Sequence, residues 1–180
     1  DLVKYPVTQG SDDSYQLLKP DTARLHIAQS GLVGKSGPDS NAKGRPLYSA
    51  SKADFIMDGD TLRVPLSWSS AEGLSVTKTF VFQRDQHVVN VNYDVKNNTN
   101  APTSMAQFAQ LKQTTADQPG GSMFMPIYRG GAYSTEEDKY KKFGFGDFED
   151  DKLNVATIGG WTGMIEHYFV TAWVPPQEQT

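Results

Sequence analysis

Three histidines are the side chains best suited to acid-base or metal chemistry in this sequence, because the chain has no cysteine. His26, His87 and His167 lie far apart, and none has another His, Asp or Glu at a recognised metal-ligand spacing. Glu166 beside His167 comes nearest to a signal, but neighbouring residues of a strand face opposite sides of a sheet. We therefore expect all three to be surface or packed strand histidines, with none acting as a catalytic base.

Other sequence patterns could also carry chemistry. The acidic run at residues 147–151 (DFEDD) could bind calcium or supply an acid-base pair of the glycosidase kind. It lacks the spacing and the glycine of an EF-hand, so a solvated acidic loop is the favoured interpretation. The glycine pairs at 130–131 and 159–160 do not match phosphate-binding loops, and no G-x-S-x-G motif occurs. The sequence predicts no catalytic, cofactor-binding or metal-binding residue, and we expect a protein that is not an enzyme.

Aromatic residues remain as candidates for function, because their side chains anchor contacts with proteins and sugars. They are concentrated between residues 128 and 148, interleaved with glycines. Tyr133, Tyr140, Phe143 and Trp161 are the partner-binding candidates. The alternative is that these side chains fill the core of the domain itself.

The elements that must position these residues are mainly strands. Alternating apolar and polar residues, separated by turn residues, predict an all-β protein. The clearest strand is 61–69, in which Pro65 indicates an edge position or a bulge. It should form a hairpin with a strand at 74–84 through a turn at 72–73. Further strands are expected at 24–28, 87–96, 104–114 and 167–174, the last central and buried because it is apolar on both faces.

One short helix is predicted to begin at Ser134 and to end near residue 143 or 144. Ser134 and Glu137 have the spacing of a capping box. Acidic residues at 136–138 and lysines at 139–142 would complement the helix dipole at its two ends. Tyr140 and Phe143 would form its apolar stripe.

Length and charge limit the remaining function classes. A chain of 180 residues is long enough for one well-buried core, so we expect a single domain over residues 1–180. The net charge is −4 and no long block of like charge occurs, which argues against nucleic acid as a partner. No apolar run of 18 residues and no export leader is present in the sequence, so we expect these residues to form a body in water.

The ordered set of segments resembles the periplasmic domain of the YidC family of bacterial membrane protein insertases. No single segment is a catalytic fingerprint, and the resemblance depends on their order and spacing over almost the whole chain. The segments are 28–32 (AQSGL), 37–39 (GPD), 44–48 (GRPLY), 77–81 (TKTFV), 89–93 (VNVNY), 110–113 (QLKQ), 129–135 (RGGAYST), 139–140 (KY), 159–161 (GGW), 168–169 (YF) and 171–173 (TAW).

The resemblance implies a large twisted antiparallel β-sandwich, the supersandwich of galactose-mutarotase-like proteins, with one or two short helices. Fold similarity alone does not transfer activity. Mutarotase-like enzymes use a His and a Glu in their cleft, and neither matches a motif of this sequence, so the resemblance adds no catalytic residue. It also implies that the family domain begins before this chain and continues past residues 174–176, so that the chain is a fragment without the first and last strands.

For function, the resemblance implies a non-catalytic domain on the periplasmic face of the bacterial inner membrane. The whole insertase would assist the insertion and folding of nascent inner-membrane proteins, and this part would contribute contacts to the accessory subunits of the Sec translocon. The alternative is a carbohydrate- or peptide-binding module that uses a mutarotase-like cleft, with Trp68 or Trp161 as a stacking platform.

Overall fold

The computed structural model describes residues 1–40, 44–115, 128–150 and 152–178. Most of the regular structure in these residues is strand. The strands are β1 (Leu2–Pro6), β2 (Ser14–Tyr15), β3 (His26–Val33), β4 (Ser49–Ala50), β5 (Thr61–Ser69), β6 (Leu74–Gln83), β7 (Val89–Asn97), β8 (Ala106–Gln113), β9 (Gly130–Ser134), β10 (Lys141–Gly144), β11 (Trp161–Ile165) and β12 (Val170–Trp173). The helices are α1 (Asp147–Asp150), between β10 and β11, and two 3₁₀ turns at Thr22–Arg24 and Pro38–Ser40.

The predicted all-β class is confirmed, with only short helices beside the strands. The strands form a β4-β5-β6-β7 sheet, a β10-β9-β11-β12 sheet and the two pairs β1-β2 and β3-β8. Backbone contacts group the chain into two units, one of residues 1–30 with 109–180 and the other of residues 31–108. The single domain expected over residues 1–180 stays a prediction. Within the described residues no helix has the length and apolar character needed to cross a membrane.

The second unit, residues 31–108, contains the hairpin that the sequence predicts. β5 and β6 pair antiparallel from Thr61↔Gln83 to Ser69↔Ser75, and β5 alternates exposed and half-buried residues along its length. Pro65 lies just past the part of β5 that β4 covers, since β4 pairs only with Ser67 and Leu66. The side of β5 next to β4 is therefore unpaired at Pro65, which accommodates a residue without an N–H group.

A short loop of this unit packs tightly against β3. The Asp39 carboxylate accepts a hydrogen bond of 2.8 Å from the Leu32 N–H. This contact requires a glycine at position 31, because a Cβ there would overlap the Asp39 carboxyl group and lie 2.6 Å from Phe108 Cε1. The glycine thus lets the loop bring its carboxylate to the backbone of β3, next to the buried Leu32.

The sheet of the first unit corrects the prediction made for residues 167–174. The strand begins only at Val170, because residues 166–169 form a turn closed by the Glu166 N–H and the Phe169 carbonyl at 2.8 Å. β12 is the outer strand of the sheet in the described residues, and its residues alternate between exposed and half-buried. The expectation of a central, buried strand is wrong because apolar side chains on both faces indicate burial only where both faces are covered.

The helix predicted from Ser134 is also wrong, since this segment forms the hairpin β9-β10, paired from Tyr133↔Lys141 to Gly144↔Gly130. The hydroxyl that accepts a hydrogen bond from an N–H three residues ahead is that of Thr135 and not that of Ser134. It accepts a bond of 2.9 Å from the Asp138 N–H in the turn that connects β9 and β10. A hydroxyl bonded three residues ahead stabilises a turn as well as a helix start, so the pattern is ambiguous. The acidic run forms the exposed helix α1 up to Asp150, and Asp151 lies outside the described residues.

We expect Gly31→Ala to lower the free energy of unfolding by about 1–3 kcal/mol, the usual cost of overpacking. The added methyl group must displace the Asp39 carboxylate or the Phe108 ring. Gly146→Ala is the matched control, because nothing lies within 4 Å of a Cβ at that position. Urea unfolding of the two variants checks the prediction, and equal midpoints would contradict it.

Candidate functional site

The four aromatic candidates for partner binding lie on or beside the sheet of the first unit. Tyr133 lies in β9 and is only 8 % exposed, so it belongs to the core. Tyr140 precedes β10 and is 54 % exposed, and its ring centroid lies 6.1 Å from that of the half-buried Trp161. Phe143 in β10 meets Phe148 edge to face at 4.7 Å. We call Tyr140 and Trp161 the aromatic pair. Of the four candidates, these two combine an exposed ring, that of Tyr140, with a neighbouring ring held in a strand, that of Trp161 in β11.

The sheet determines where the aromatic pair lies. Trp161 begins β11 and pairs with Ser134 at the end of β9, while the β9-β10 turn carries Tyr140. Gly160 precedes Trp161 with a φ of 75°, and a Cβ there would overlap the Ser134 carbonyl oxygen. A glycine is therefore needed where the chain enters β11. This close approach positions the Trp161 ring beside the turn.

A buried carboxylate in the same unit is the centre of a second group of polar residues. Glu166 is 5 % exposed and lies just after β11. Its Oε2 accepts a hydrogen bond of 2.7 Å from the Tyr15 hydroxyl, and its Oε1 accepts one of 2.6 Å from Gln113 Nε2. His26, which is 2 % exposed, places Nδ1 3.5 Å from the same Oε1. We call these four residues the Glu166 cluster.

The Glu166 cluster joins four elements that are distant in sequence. Tyr15 comes from β2, His26 from the start of β3 and Gln113 from the end of β8. Two backbone hydrogen bonds of 2.7 and 2.8 Å between Lys19 and His26 fix the histidine. The Tyr15 ring also stacks on Phe169 at 4.6 Å, so apolar contact supports the hydrogen-bonded groups.

The surroundings of Glu166 favour its ionised form. The contact with His26 is the largest cause, and the Tyr15 hydrogen bond and the Lys19 charge act in the same direction. Together they outweigh the desolvation caused by burial and lower the pKa of Glu166 from its usual 4.5 to about 2. Burial and the adjacent carboxylate raise the pKa of Tyr15, whose hydroxyl thus stays protonated and donates to the carboxylate.

The arrangement suits a structural role better than catalysis. Both oxygens of Glu166 already accept hydrogen bonds, and both members of the His26 and Glu166 pair are almost completely shielded from water. A general base must reach the proton that it abstracts. Among the described residues no group of three His, Asp or Glu side chains could hold a metal ion.

A pocket of about 380 Å³ lies in the other unit and is lined by residues 60–61 and 83–86, all of them polar or charged.

The predicted placement of the histidines is confirmed, since His26 is packed at the start of β3 while His87 and His167 are exposed. The expectation that none of them is a catalytic base stays a prediction. Glu166 and His167 do face opposite ways, although they lie in a turn and not within a strand. The contact between His26 and Glu166 was missed. The two residues are 140 positions apart, and neither has a local signal that points to the other.

The whole chain, residues 1–180, matches the family described as the YidC periplasmic domain. The chain belongs to the YidC family. A relative named membrane protein insertase YidC from Pseudoalteromonas atlantica is 55% identical over 99% of this chain. Proteins of the same name from Aeromonas salmonicida and Shewanella sp. (strain MR-7) are 42% and 44% identical over 100% and 97% of it.

This YidC-family chain spans about a third of those relatives, 32% of the first and 34% of the second. The family assignment places it on the periplasmic face of the bacterial inner membrane. The resemblance to this family noted from the sequence segments is therefore confirmed. The relatives' names refer to proteins about three times longer than this chain.

Replacing Glu166 should remove a stabilisation that depends on pH. Because its pKa is lowered in the folded state, the carboxylate stabilises the fold above about pH 4.5, and this contribution is lost as the pH falls towards 2. At pH 7, Glu166→Gln should lower the free energy of unfolding by about 1–3 kcal/mol, because buried partners lose a charged acceptor.

The measurement is urea unfolding of wild type and variant between pH 7 and pH 2.5. The difference in free energy between them should shrink as the pH falls through this window. Glu149→Gln, at an exposed position of α1, is the control and should follow the wild type. A constant difference at all pH values would mean that Glu166 is not the group that titrates.

Proposed function

We propose that this chain is a non-catalytic docking part of a membrane protein insertase, and that the aromatic pair Tyr140 and Trp161 contacts the periplasmic portions of the Sec translocon accessory subunits. The observation that carries the proposal is an exposed tyrosine in the β9-β10 turn, supported by a tryptophan at the start of β11. The names of the relatives support the insertase part of the proposal, because each is called a membrane protein insertase.

The chemistry of the surface around the aromatic pair fits a protein partner. Tyrosine and tryptophan are the residues most enriched among those that dominate binding energy, and a polar rim commonly surrounds them. The turn that carries Tyr140 contains acidic and basic side chains, and Lys141 Nζ lies 3.4 Å from Asp138 Oδ2.

The two other candidates from the sequence contribute differently. Tyr133 is buried, so its role is to support the sheet beneath the surface. Phe143 is half-buried against Phe148, so its removal would change the packing of the β9-β10 hairpin. We therefore restrict the proposed contact to the aromatic pair. Insertion of nascent inner-membrane proteins belongs to the whole protein in this proposal.

Neither an enzyme nor a sugar-binding module has comparable support. The nearest approach to a mutarotase-like His and Glu is the buried pair His26 and Glu166, whose carboxylate oxygens are already occupied. Neither Trp68 nor Trp161 lines the pocket described above, which lies among polar residues at the ends of β5 and β6. We propose that the chain has no catalytic activity, and mutarotation above the rate in buffer would contradict this.

A binding titration tests the proposed docking surface. The intact protein in a lipid nanodisc is titrated with the periplasmic portions of the Sec accessory complex. Tyr140→Ala and Trp161→Ala should each weaken binding about tenfold, the effect of losing an interface anchor. The physical reason is the loss of aromatic area buried against the partner.

Tyr168→Ala is the control for this titration, because Tyr168 is 80 % exposed and lies in the turn between β11 and β12. It should bind like the wild type. The melting temperature of each variant shows whether it is folded. Wild-type affinity in a folded Tyr140→Ala variant would contradict the proposed surface.

A further inference from the structure

Among the described residues, the outer edge of β7 is a long row of backbone groups with no neighbouring strand. β7 pairs with β6 through nine residue pairs, from Leu74↔Asn97 to Phe82↔Val89. In the part of the chain that the structure describes, no strand pairs with its other edge. Alternate residues of an antiparallel strand direct both N–H and C=O to the same side. About half of the residues of β7 therefore present these groups away from β6.

This edge lacks three of the features that usually keep an edge strand from pairing. Natural edges are shortened, bent by a bulge, interrupted by proline or protected by charged side chains, and only the last of these applies to β7, through Asp94 and Lys96. β7 has nine residues, no proline and a register with β6 that is continuous along its length. The outer strands β4, β10 and β12 of the four-stranded sheets are much shorter, with two, four and four residues. β7 is thus the longest outer strand of the two four-stranded sheets.

The side chains of β7 define what such a strand should look like. Its apolar residues lie on one face, where Val89 and Val95 are 40 % and 41 % exposed. Tyr93 lies between them on that face, and Lys78 Nζ of β6 is 5.5 Å from the centre of its ring. The intervening positions 90, 92, 94 and 96 are polar. An added strand continues both faces only if it alternates apolar and polar residues in the same register.

Two charges on the polar face add a second requirement. Asp94 lies opposite Thr77 and Lys96 lies opposite Ser75, both neutral residues of β6. Among the described residues neither charge belongs to a salt bridge. Opposite charges directly across an antiparallel pair are favourable and like charges are not. The preferred occupant therefore has a basic residue across from Asp94 and an acidic residue across from Lys96.

We propose that the edge of β7 binds an extended polypeptide segment as an added antiparallel strand. The segment alternates apolar and polar residues and carries a basic and an acidic residue in the register just described. Main-chain hydrogen bonds would provide most of the affinity, so many sequences can bind. The inference relies on the proposed function in one respect, namely that the segment comes from a polypeptide not yet folded on the periplasmic side.

The first experiment asks whether backbone pairing holds the peptide. A labelled nine-residue peptide of the required pattern is titrated against the intact protein in a nanodisc by fluorescence anisotropy. Two further peptides carry N-methyl groups on alternate residues. In one peptide the methylated N–H groups lie along one edge of the extended chain, and in the other peptide they lie along the opposite edge. We expect one set to abolish binding and the other to leave it nearly unchanged, because only one edge of the peptide faces β7. Equal effects of both sets would overturn the proposal.

The second experiment tests the register through charge. A peptide with its basic and acidic residues exchanged should bind about fivefold more weakly to the wild type. The double variant Asp94→Lys with Lys96→Asp should reverse that preference. Each peptide serves as the control for the other. A folded double variant that keeps the wild-type preference would overturn the assignment to β7.

Hydrogen exchange identifies what occupies the edge before peptide is added. We expect peptic fragments that cover β7 to gain protection only when the peptide binds. Protection without peptide that persists on dilution would assign the edge to the protein's own chain, and protection lost on dilution would assign it to a second copy. Either result overturns the proposal. The Sec titration involves other residues, so failure of one proposal is separable from failure of the other.

Discussion

Burial of the Glu166 carboxylate is the constraint on which the first unit depends. An ionised carboxylate out of water is costly unless its oxygens accept hydrogen bonds. Tyr15 and Gln113 supply these hydrogen bonds, and His26 Nδ1 lies 3.5 Å from Oε1. The four residues come from the two chain segments of this unit, 1–30 and 109–180, so the contacts of one side chain bring together β2, β3, β8 and the turn after β11. The same turn connects β11 and β12 of the sheet that carries the aromatic pair.

The strands could be predicted from the sequence to the extent that their pattern is local. Leu62 to Trp68 alternate with polar residues, and β5 was predicted with the bounds that it has. β6 and β7 were predicted to within a residue or two at their ends. The segment after Ser134 shows the limit of this reasoning. A hydroxyl three residues before an acidic group, followed by lysines, is compatible with both a helix and a hairpin turn, and pairing with β11 favours the hairpin.

The candidate site was less predictable because its contacts are not local. Tyr140 and Trp161 were chosen for their residue type, and nothing in the sequence distinguishes them from the buried Tyr133. The distinction comes from the register of β9 between β10 and β11, which depends on pairing between segments almost thirty residues apart. For the same reason His26 could not be matched to Glu166. Residue type indicates which side chains can anchor a contact, while topology decides which of them water can reach.

The division of the chain into units also determines the order in which it can fold. The unit of residues 31–108 is continuous, whereas the other is assembled from both ends of the chain. During synthesis from the amino end, every residue of the continuous unit exists before Gln113 or Glu166 has been made. Tyr15 and His26 must therefore wait for Glu166, which is made about 150 and 140 residues later. Synthesis from the amino end thus completes the continuous unit first and leaves assembly of the unit made from both chain segments as a late, long-range step.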